Sequence, residues 1–191
     1  MNDQQVLATL LECKALLEGH FELRSGLHSS QFFQCANLLR YPRVASQLCE
    51  DLVARLPDEM RAEGVADCVI SPAIGGILVG HEVARALDLP HVFAEKLDDK
   101  LVMRRFSIEA GARYLVAEDV ITRGGRVLET VDIVRQAGAD VVGILLLVDR
   151  SGGSVTFDVP RYSLLEMSPI VYEPDDCPLC ASGEALVHPG S

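Results

Sequence analysis

The spacing of apolar positions changes along this chain, and the change predicts where helices give way to strands. Near the start, Val6, Leu7, Leu10, Leu11 and Leu17 recur at helical intervals, the mark of an amphipathic helix with one buried face. Asp3 is placed to cap that helix and Gly19 to stop it. Residues 21–41 then alternate short extended pieces about a Ser25-Gly26 turn. Pro42 suits the first position of a second helix, whose buried face is Ala45, Leu48, Leu52, Val53 and Leu56.

From residue 66 a regular alternation begins. Residues 68–70 read as a short buried strand, 72–76 as a loop and 77–87 as a helix. Residues 91–94 and 114–117 are further strands, with a polar and cationic stretch at 96–113 between them. Residues 126–137 form a helix ended by Gly138, and 141–148 a long apolar strand. Strands apolar on both faces belong in a parallel sheet covered by helices. The expected fold class is therefore α/β, with a parallel sheet and helices on both faces. Residues 1–191 are expected to form a single domain, with a core over about 60–155. Ligands of such sheets collect beyond the carboxyl ends of the strands. That directs attention to 71–76, 118–126 and 149–154.

Charge narrows the partners. The formal net charge is −11, which repels nucleic acid, whose non-specific binding rests on neutralised phosphates. An anionic ligand would need a local group of cations and backbone amides. No apolar run approaches the roughly 18 residues of a membrane span, so no membrane partner is expected. The start, MNDQQVLATLLECK, lacks a cationic leader. Of the six cysteines, Cys13, Cys35, Cys49 and Cys68 fall singly in apolar segments, as buried thiols do. Together these features read as a reducing cytoplasm.

The segment Tyr114-Leu-Val-Ala-Glu118-Asp119-Val120-Ile121-Thr122-Arg123-Gly124-Gly125-Arg126 carries the most chemistry. An apolar strand runs into two adjacent carboxylates, then a Thr, two glycines and a helix. Carboxylates accept hydrogen bonds from a vicinal diol, so Glu118 and Asp119 suit sugar hydroxyls. Gly124 and Gly125 let the backbone approach closely and turn its amides inward. A helix N-terminus behind them favours an anion such as a phosphate. The plainer alternative is an acidic cap on a tight turn. There is no G-x-x-x-x-G-K-[ST], and Gly75, Gly76 and Gly80 do not space as G-x-G-x-x-G.

This segment resembles the hallmark of the type I phosphoribosyltransferases, an apolar strand followed by Glu/Asp-Asp-Val-Ile/Val-Thr-x-Gly-Gly/Thr. Arg123 and Arg126 stand where many members carry small residues. The resemblance implies the family's parallel-sheet fold with a small hood built from the N- and C-terminal segments. It also implies that Glu118, Asp119, Val120, Ile121, Thr122, Arg123, Gly124, Gly125 and Arg126 bind phosphoribosyl pyrophosphate, with Asp119 catalytic.

Four further stretches are similar to the orotate-using members and together cover nearly the whole chain. In the segment from Gly19 to Gln34, Arg24, Phe32 and Phe33 would hold the base; such members often have Lys where Arg24 stands. A flat heterocycle bearing a carboxylate needs stacking surface and a cation. Side chains alternate along a strand, so one Phe alone can face the base; the alternative is a hydrophobic pair closing the small subdomain. Ser71-Pro72-Ala73-Ile74-Gly75-Gly76-Ile77 resembles the pyrophosphate loop, where backbone amides of Ala73, Ile74, Gly75 and Gly76 would meet the leaving group. Its alternative is a plain strand-to-helix turn.

Residues 96–105 hold four cations, Lys96, Lys100, Arg104 and Arg105, and resemble the family's mobile catalytic loop. The resemblance makes Lys96 and Lys100 catalytic, reaching the neighbouring site of a homodimer, with Arg104 and Arg105 as secondary candidates; a solvated hairpin is the alternative. Val148-Asp149-Arg150-Ser151 resembles the position whose Arg grips the orotate carboxylate, a task suited to its planar fork. A buried Asp149–Arg150 pair is the alternative. Thr122 is expected at both substrates. Magnesium (Mg2+) is implied as cofactor, held mainly by substrate and water.

In the tail, Cys177-Pro-Leu-Cys180 has zinc-ligand spacing and His188 lies beyond, but a closed zinc site takes four ligands. Plain packing is the expectation there, with no metal ligand assigned. The implied activity joins orotate to phosphoribosyl pyrophosphate. Two alternatives stay open: a relative specific for another base, and a non-catalytic regulator that senses phosphoribosyl pyrophosphate.

Overall fold

The computed structural model describes residues 1–23, 25–168 and 170–189. Helix α1 (Asp3–Glu12) leads into strands β1 (Leu16–Glu22) and β2 (His28–Phe33). Helices α2 (Ala36–Leu39), α3 (Pro42–Ala54) and α4 (Asp58–Arg61) follow. The alternating part is β3 (Cys68–Pro72), α5 (Gly75–Leu87), β4 (His91–Leu97), β5 (Lys100–Val102), β6 (Arg113–Ile121), α6 (Gly125–Gln136), β7 (Asp140–Asp149) and β8 (Arg161–Glu166). Strand β9 (Val171–Tyr172), a 3-10 turn (Pro174–Asp176) and α7 (Pro178–Ala181) complete the order.

The first helix departs from expectation at both ends. Its cap is Asn2, not Asp3, because Gln5 lies three residues beyond Asn2 and closes a reciprocal capping box at 2.9 Å each way. It ends at Glu12, and Lys14 turns the chain at φ 55°. Leu17 and Gly19 therefore sit on a strand. There the β1–β2 register shifts between Glu18 and Phe21, a bulge that a glycine accommodates.

Two sheets result. The larger has the order β5-β4-β3-β6-β7-β8. All neighbours in it are parallel except the β4–β5 pair at one edge. Helices α3 and α5 pack on one face and α6 on the other, which divides the core into two clusters. Val116, Ala117, Ile144 and Leu145, on the central strands β6 and β7, are fully buried. The α/β class with helices on both faces is thus observed. The polar stretch after residue 95 opens as a hairpin, the alternative to a mobile loop: its first part continues β4 and turns back as β5 through Asp98 and Asp99, both at positive φ.

The smaller sheet has the order β1-β2-β9, so the tail pairs with the N-terminal hairpin. Among the described residues, no helix is long and apolar enough to cross a membrane.

Because Leu145 lies fully inside the α3/α5 cluster, Leu145→Ala should cost about 2–5 kcal/mol. Urea titration should show a lower midpoint with an unchanged slope. An unchanged midpoint would contradict this account of the core.

Candidate active site

Strand β6 does not stop before the two acids; it carries them and ends at Ile121, paired to β7 as far as Asp149. The pairing with β7 and the burial of β6 hold both carboxylates at the carboxyl edge of the sheet. Glu118 is buried and its Oε1 accepts from the Asp119 amide at 3.0 Å. Asp119 Oδ1 accepts from the Val120 amide at 2.7 Å. The loop before α5 packs directly on them. A Cβ on Gly75 would lie 2.3 Å from Asp119 Oδ2, and one on Gly76 would lie 2.9 Å from Glu118 Oε1. These glycines are needed for the close approach itself, a role the sequence reading missed. An acid pair on one strand end facing a Gly-Gly on the next loop was the signal available.

Burial pushes the Glu118 carboxyl well above the usual carboxylate range, and the charge of Asp119 raises it further. Asp119 is also raised, chiefly by burial. Among the described residues, no Lys or Arg forms an ion pair with either acid. Two desolvated carboxylates without a counter-cation are a donor set for hydroxyl groups and for a hard cation that prefers oxygen.

Beyond the acids the chain turns through Gly124, at φ 68°, into α6. Side chains rarely adopt that backbone, and a Cβ there would also meet Val155 Cγ1 at 2.8 Å. No side chain caps α6, so its first amides remain unpaired by the helix. A cavity of about 430 Å³ opens here. It is lined by Glu118, Val120, Ile121 and the 122–127 turn, with Glu129 behind. Thr122 and Arg123 are exposed. Arg126 lines the cavity, but its guanidinium donates to Glu129 Oε2 (2.8 Å) and to the Asp99 carbonyl (3.0 Å). It ties α6 to the β4–β5 turn.

Beyond the end of β7, the guanidinium carbon of Arg150 lies 4.7 Å from the centre of the Phe33 ring. Both are buried. The pairing of Asp149 with Arg150 is not seen: Asp149 Oδ2 sits 2.9 Å from Arg161 Nη1, an ion pair without hydrogen-bond alignment, and Asp149 Oδ1 accepts from the Ser151 amide. Arg150 is therefore left with an aromatic face in place of a carboxylate, and burial lowers its pKa. Cys35 links the two halves of the site. Burial pushes its thiol far up, and Asp119 and Glu118 raise it further. Phe32 packs instead near Phe21, centroids 5.8 Å apart, so the two Phe side chains do point to different places. Arg24 lies outside the described residues.

The pyrophosphate-loop candidates are brought beside the acids by α5. The Ala73–Ile74 peptide is cis. The Ala73 amide donates to the Ala94 carbonyl at 2.8 Å, whereas Ile74 is largely exposed. Lys96 and Lys100 are not brought into this cavity. Lys96 Nζ pairs with Asp99 at 2.6 Å, and Lys100 is exposed on the edge hairpin. Arg105 pairs with Glu95, and Arg104 is exposed.

Comparison with known proteins agrees with this geometry. Residues 37–179 match the phosphoribosyl transferase domain. The chain is 49% identical to the orotate phosphoribosyltransferase of Carboxydothermus hydrogenoformans, over 95% of this chain and 94% of that one. It is 45% identical to the Chlorobaculum parvum orotate phosphoribosyltransferase, over 100% and 97%. The chain belongs to the orotate phosphoribosyltransferase family. Its fold is also that of solved family structures. The orotate phosphoribosyltransferase of Aeropyrum pernix superposes with a TM-score of 0.70 at 23% identity, covering 85% of this chain and 93% of that one. The adenine phosphoribosyltransferase of Rhodothermus marinus gives 0.63 at 22%, covering 86% and 99%. In this chain the two acids stand at the tip of a central strand.

The raised Glu118 pKa has a defined consequence. A carboxyl whose folded pKa exceeds its unfolded value binds its proton more tightly when folded. Its contribution is fully present below the unfolded pKa, about 4.3 for Glu, and is lost as pH rises through the folded pKa. Glu118→Gln should therefore unfold at a higher temperature than the parent at neutral pH, with the gap closing below about pH 4. Thermal melts of the ligand-free protein across pH would test this. A variant less stable at neutral pH would refute it.

Proposed function

We propose that this protein transfers the 5-phosphoribosyl group from phosphoribosyl pyrophosphate to orotate, giving orotidine 5'-monophosphate and pyrophosphate. The observation that carries the reading is the shared cavity. A buried acid that forms no ion pair among the described residues and an uncapped helix N-terminus open onto the same space at the tip of β6. Few ligands other than a phosphorylated sugar need both.

In this reading Glu118 and Asp119 accept hydrogen bonds from the ribose hydroxyls. The 5-phosphate sits on the amides of 122–126, where α6 begins. The amides of Ile74, Gly75 and Gly76 face the leaving pyrophosphate, since the Ala73 amide is already taken by the sheet. Phe33 and Arg150 meet the orotate ring and its carboxylate, with Thr122, Phe32 and Arg24 as further base-side candidates. A ring nitrogen of orotate attacks the anomeric carbon as the bond to the pyrophosphate oxygen breaks. Positive charge grows on the sugar and negative charge on the leaving group. The chain contributes position and charge stabilisation, with no covalent nucleophile. Magnesium would be held mainly by substrate and water, with Glu118 and Asp119 as the nearest carboxylates of the chain, and would supply positive charge against the leaving group.

Lys96 and Lys100 belong to an edge hairpin outside the cavity of their own chain. That placement supports a homodimer in which the 96–105 segment covers the neighbour's pyrophosphate and excludes water. The small β1-β2-β9 sheet then serves as the hood over a core at about residues 60–155, within one domain. The reading also places the enzyme in the cytoplasm, acting on small molecules without nucleic acid or membrane partners.

The decisive assay is the loss of orotate absorbance in the presence of phosphoribosyl pyrophosphate and magnesium. Turnover of another base in preference to orotate would overturn the base assignment. Binding of phosphoribosyl pyrophosphate with no turnover of any base would favour a regulator.

Two variants test the roles. Arg150→Ala removes a charge-assisted contact worth about 1.5–3 kcal/mol, so the KM for orotate should rise roughly tenfold to a hundredfold. The KM for phosphoribosyl pyrophosphate should change little. Lys100→Ala should lower kcat more than it raises either KM, as expected of a contact made while charge builds. An unchanged kcat would remove Lys100 from the reaction.

A further inference from the structure

The tail contains a second cluster that the reaction does not use. His20 on β1, His28 on β2, Cys177 just before α7 and Cys180 within it place one donor atom each within 4.8 Å of all the others. Sequence spacing had pointed to the Cys-x-x-Cys pair and to His188 as a third group. The fold instead puts His188 Nδ1 3.4 Å from Glu22, and it supplies two histidines from the opposite end of the chain.

The distances are those of a coordination shell. Cys177 Sγ is 3.5 Å from His20 Nε2, Cys180 Sγ is 3.6 Å from the same atom, and Cys180 Sγ is 3.3 Å from His28 Nδ1. A tetrahedral zinc with bonds of about 2.0–2.3 Å separates its ligands by about 3.3–3.8 Å. The one short edge is 2.9 Å, between the two ring nitrogens, and a small ring rotation opens it. His20 is already oriented for the task. Its Nδ1 lies 2.8 Å from the Glu184 carbonyl oxygen, so Nδ1 holds the proton and Nε2 presents its lone pair to the cluster.

Burial makes the same point independently. His20, His28 and Cys177 are all buried. Among the described residues of 173–189, Cys177 alone is buried. The tail therefore has almost no apolar anchor of its own. It is held by the short β2–β9 pairing and by backbone bonds of Val187 to His20 and Glu22.

We propose that His20, His28, Cys177 and Cys180 form a structural zinc site that fastens the tail to the small sheet. Two thiolates and two imidazoles make a neutral, closed site, with soft and intermediate donors that select zinc over magnesium. Binding releases the two thiol protons. No position is left open for a substrate, so the role is to hold the fold together.

The full-length protein, made with zinc supplied and purified reduced, should contain about one zinc per chain by elemental mass spectrometry. Cobalt in place of zinc should give the visible bands of a tetrahedral thiolate site. Cys180 lies at the surface, so Cys180→Ser should fold. It should lose zinc affinity by more than the roughly 10–100-fold that losing an orienting hydrogen bond costs, while Cys13→Ser should keep the metal. Chelation should expose 173–189 to proteolysis and added zinc should restore protection. A reduced protein that takes up no zinc on titration, or a Cys180→Ser variant with parental affinity, would overturn the site. Proteolysis indifferent to zinc would overturn the fastening.

Discussion

The arrangement rests on one buried and one half-buried carboxylate, side by side, that no ion pair among the described residues balances. Glu118 and Asp119 end a central strand and lie against the glycines that open α5. Such burial is unfavourable in the empty protein, which is why both groups hold their protons more tightly than usual. The strain is tolerable because the surrounding sheet fixes it: β6 is paired on both sides, to β3 and to β7. In the proposed reaction, the ribose hydroxyls would relieve it by donating to the acids. The site is thus pre-formed in the sense that matters for a charged transition state: its acceptors need not reorganise.

An acidic chain that handles anions must gather positive potential locally. Much of that gathering uses the backbone. The left-handed turn at Gly124 opens the uncapped N-terminus of α6, and Gly75 and Gly76 bring the start of α5 beside the acids. Side-chain cations are placed sparingly. Arg150 is desolvated on an aromatic face, while Asp149, its sequence neighbour, is engaged by Arg161. Arg126 works on the structure instead, coupling α6 to the turn of the cationic hairpin. The position of that hairpin is consequently linked to α6.

The small sheet solves a different problem. It joins residues from both ends of the chain, and β2 carries both the pair of aromatic residues and one histidine of the tail cluster. Anything that fastens the tail therefore also bears on the strand beside the base. A short strand pairing is a weak fastener by itself, which gives the four-residue cluster a physical reason to be there.

Much of this was legible along the chain. The two-sided apolar strands required a covered parallel sheet, the paired acids before Gly124-Gly125 pointed to the strand tip where the cavity opens, and the alternation of Phe32 and Phe33 meant that one of them would turn away. These follow from local rules of period and turn chemistry. What the chain order could not reveal were the pairings made across long separations. The β1–β2 pairing drew Leu17 and Gly19 out of the helix. Arg161 took Asp149 and so left Arg150 on an aromatic face, and Arg126 tied the turn of the 96–102 hairpin to α6. Two histidines near the start met two cysteines near the end only because the small sheet brings the termini together. Periodicity is a property of neighbours in sequence, whereas the choice of a partner for a charge or a ligand atom is settled by which groups share a buried volume.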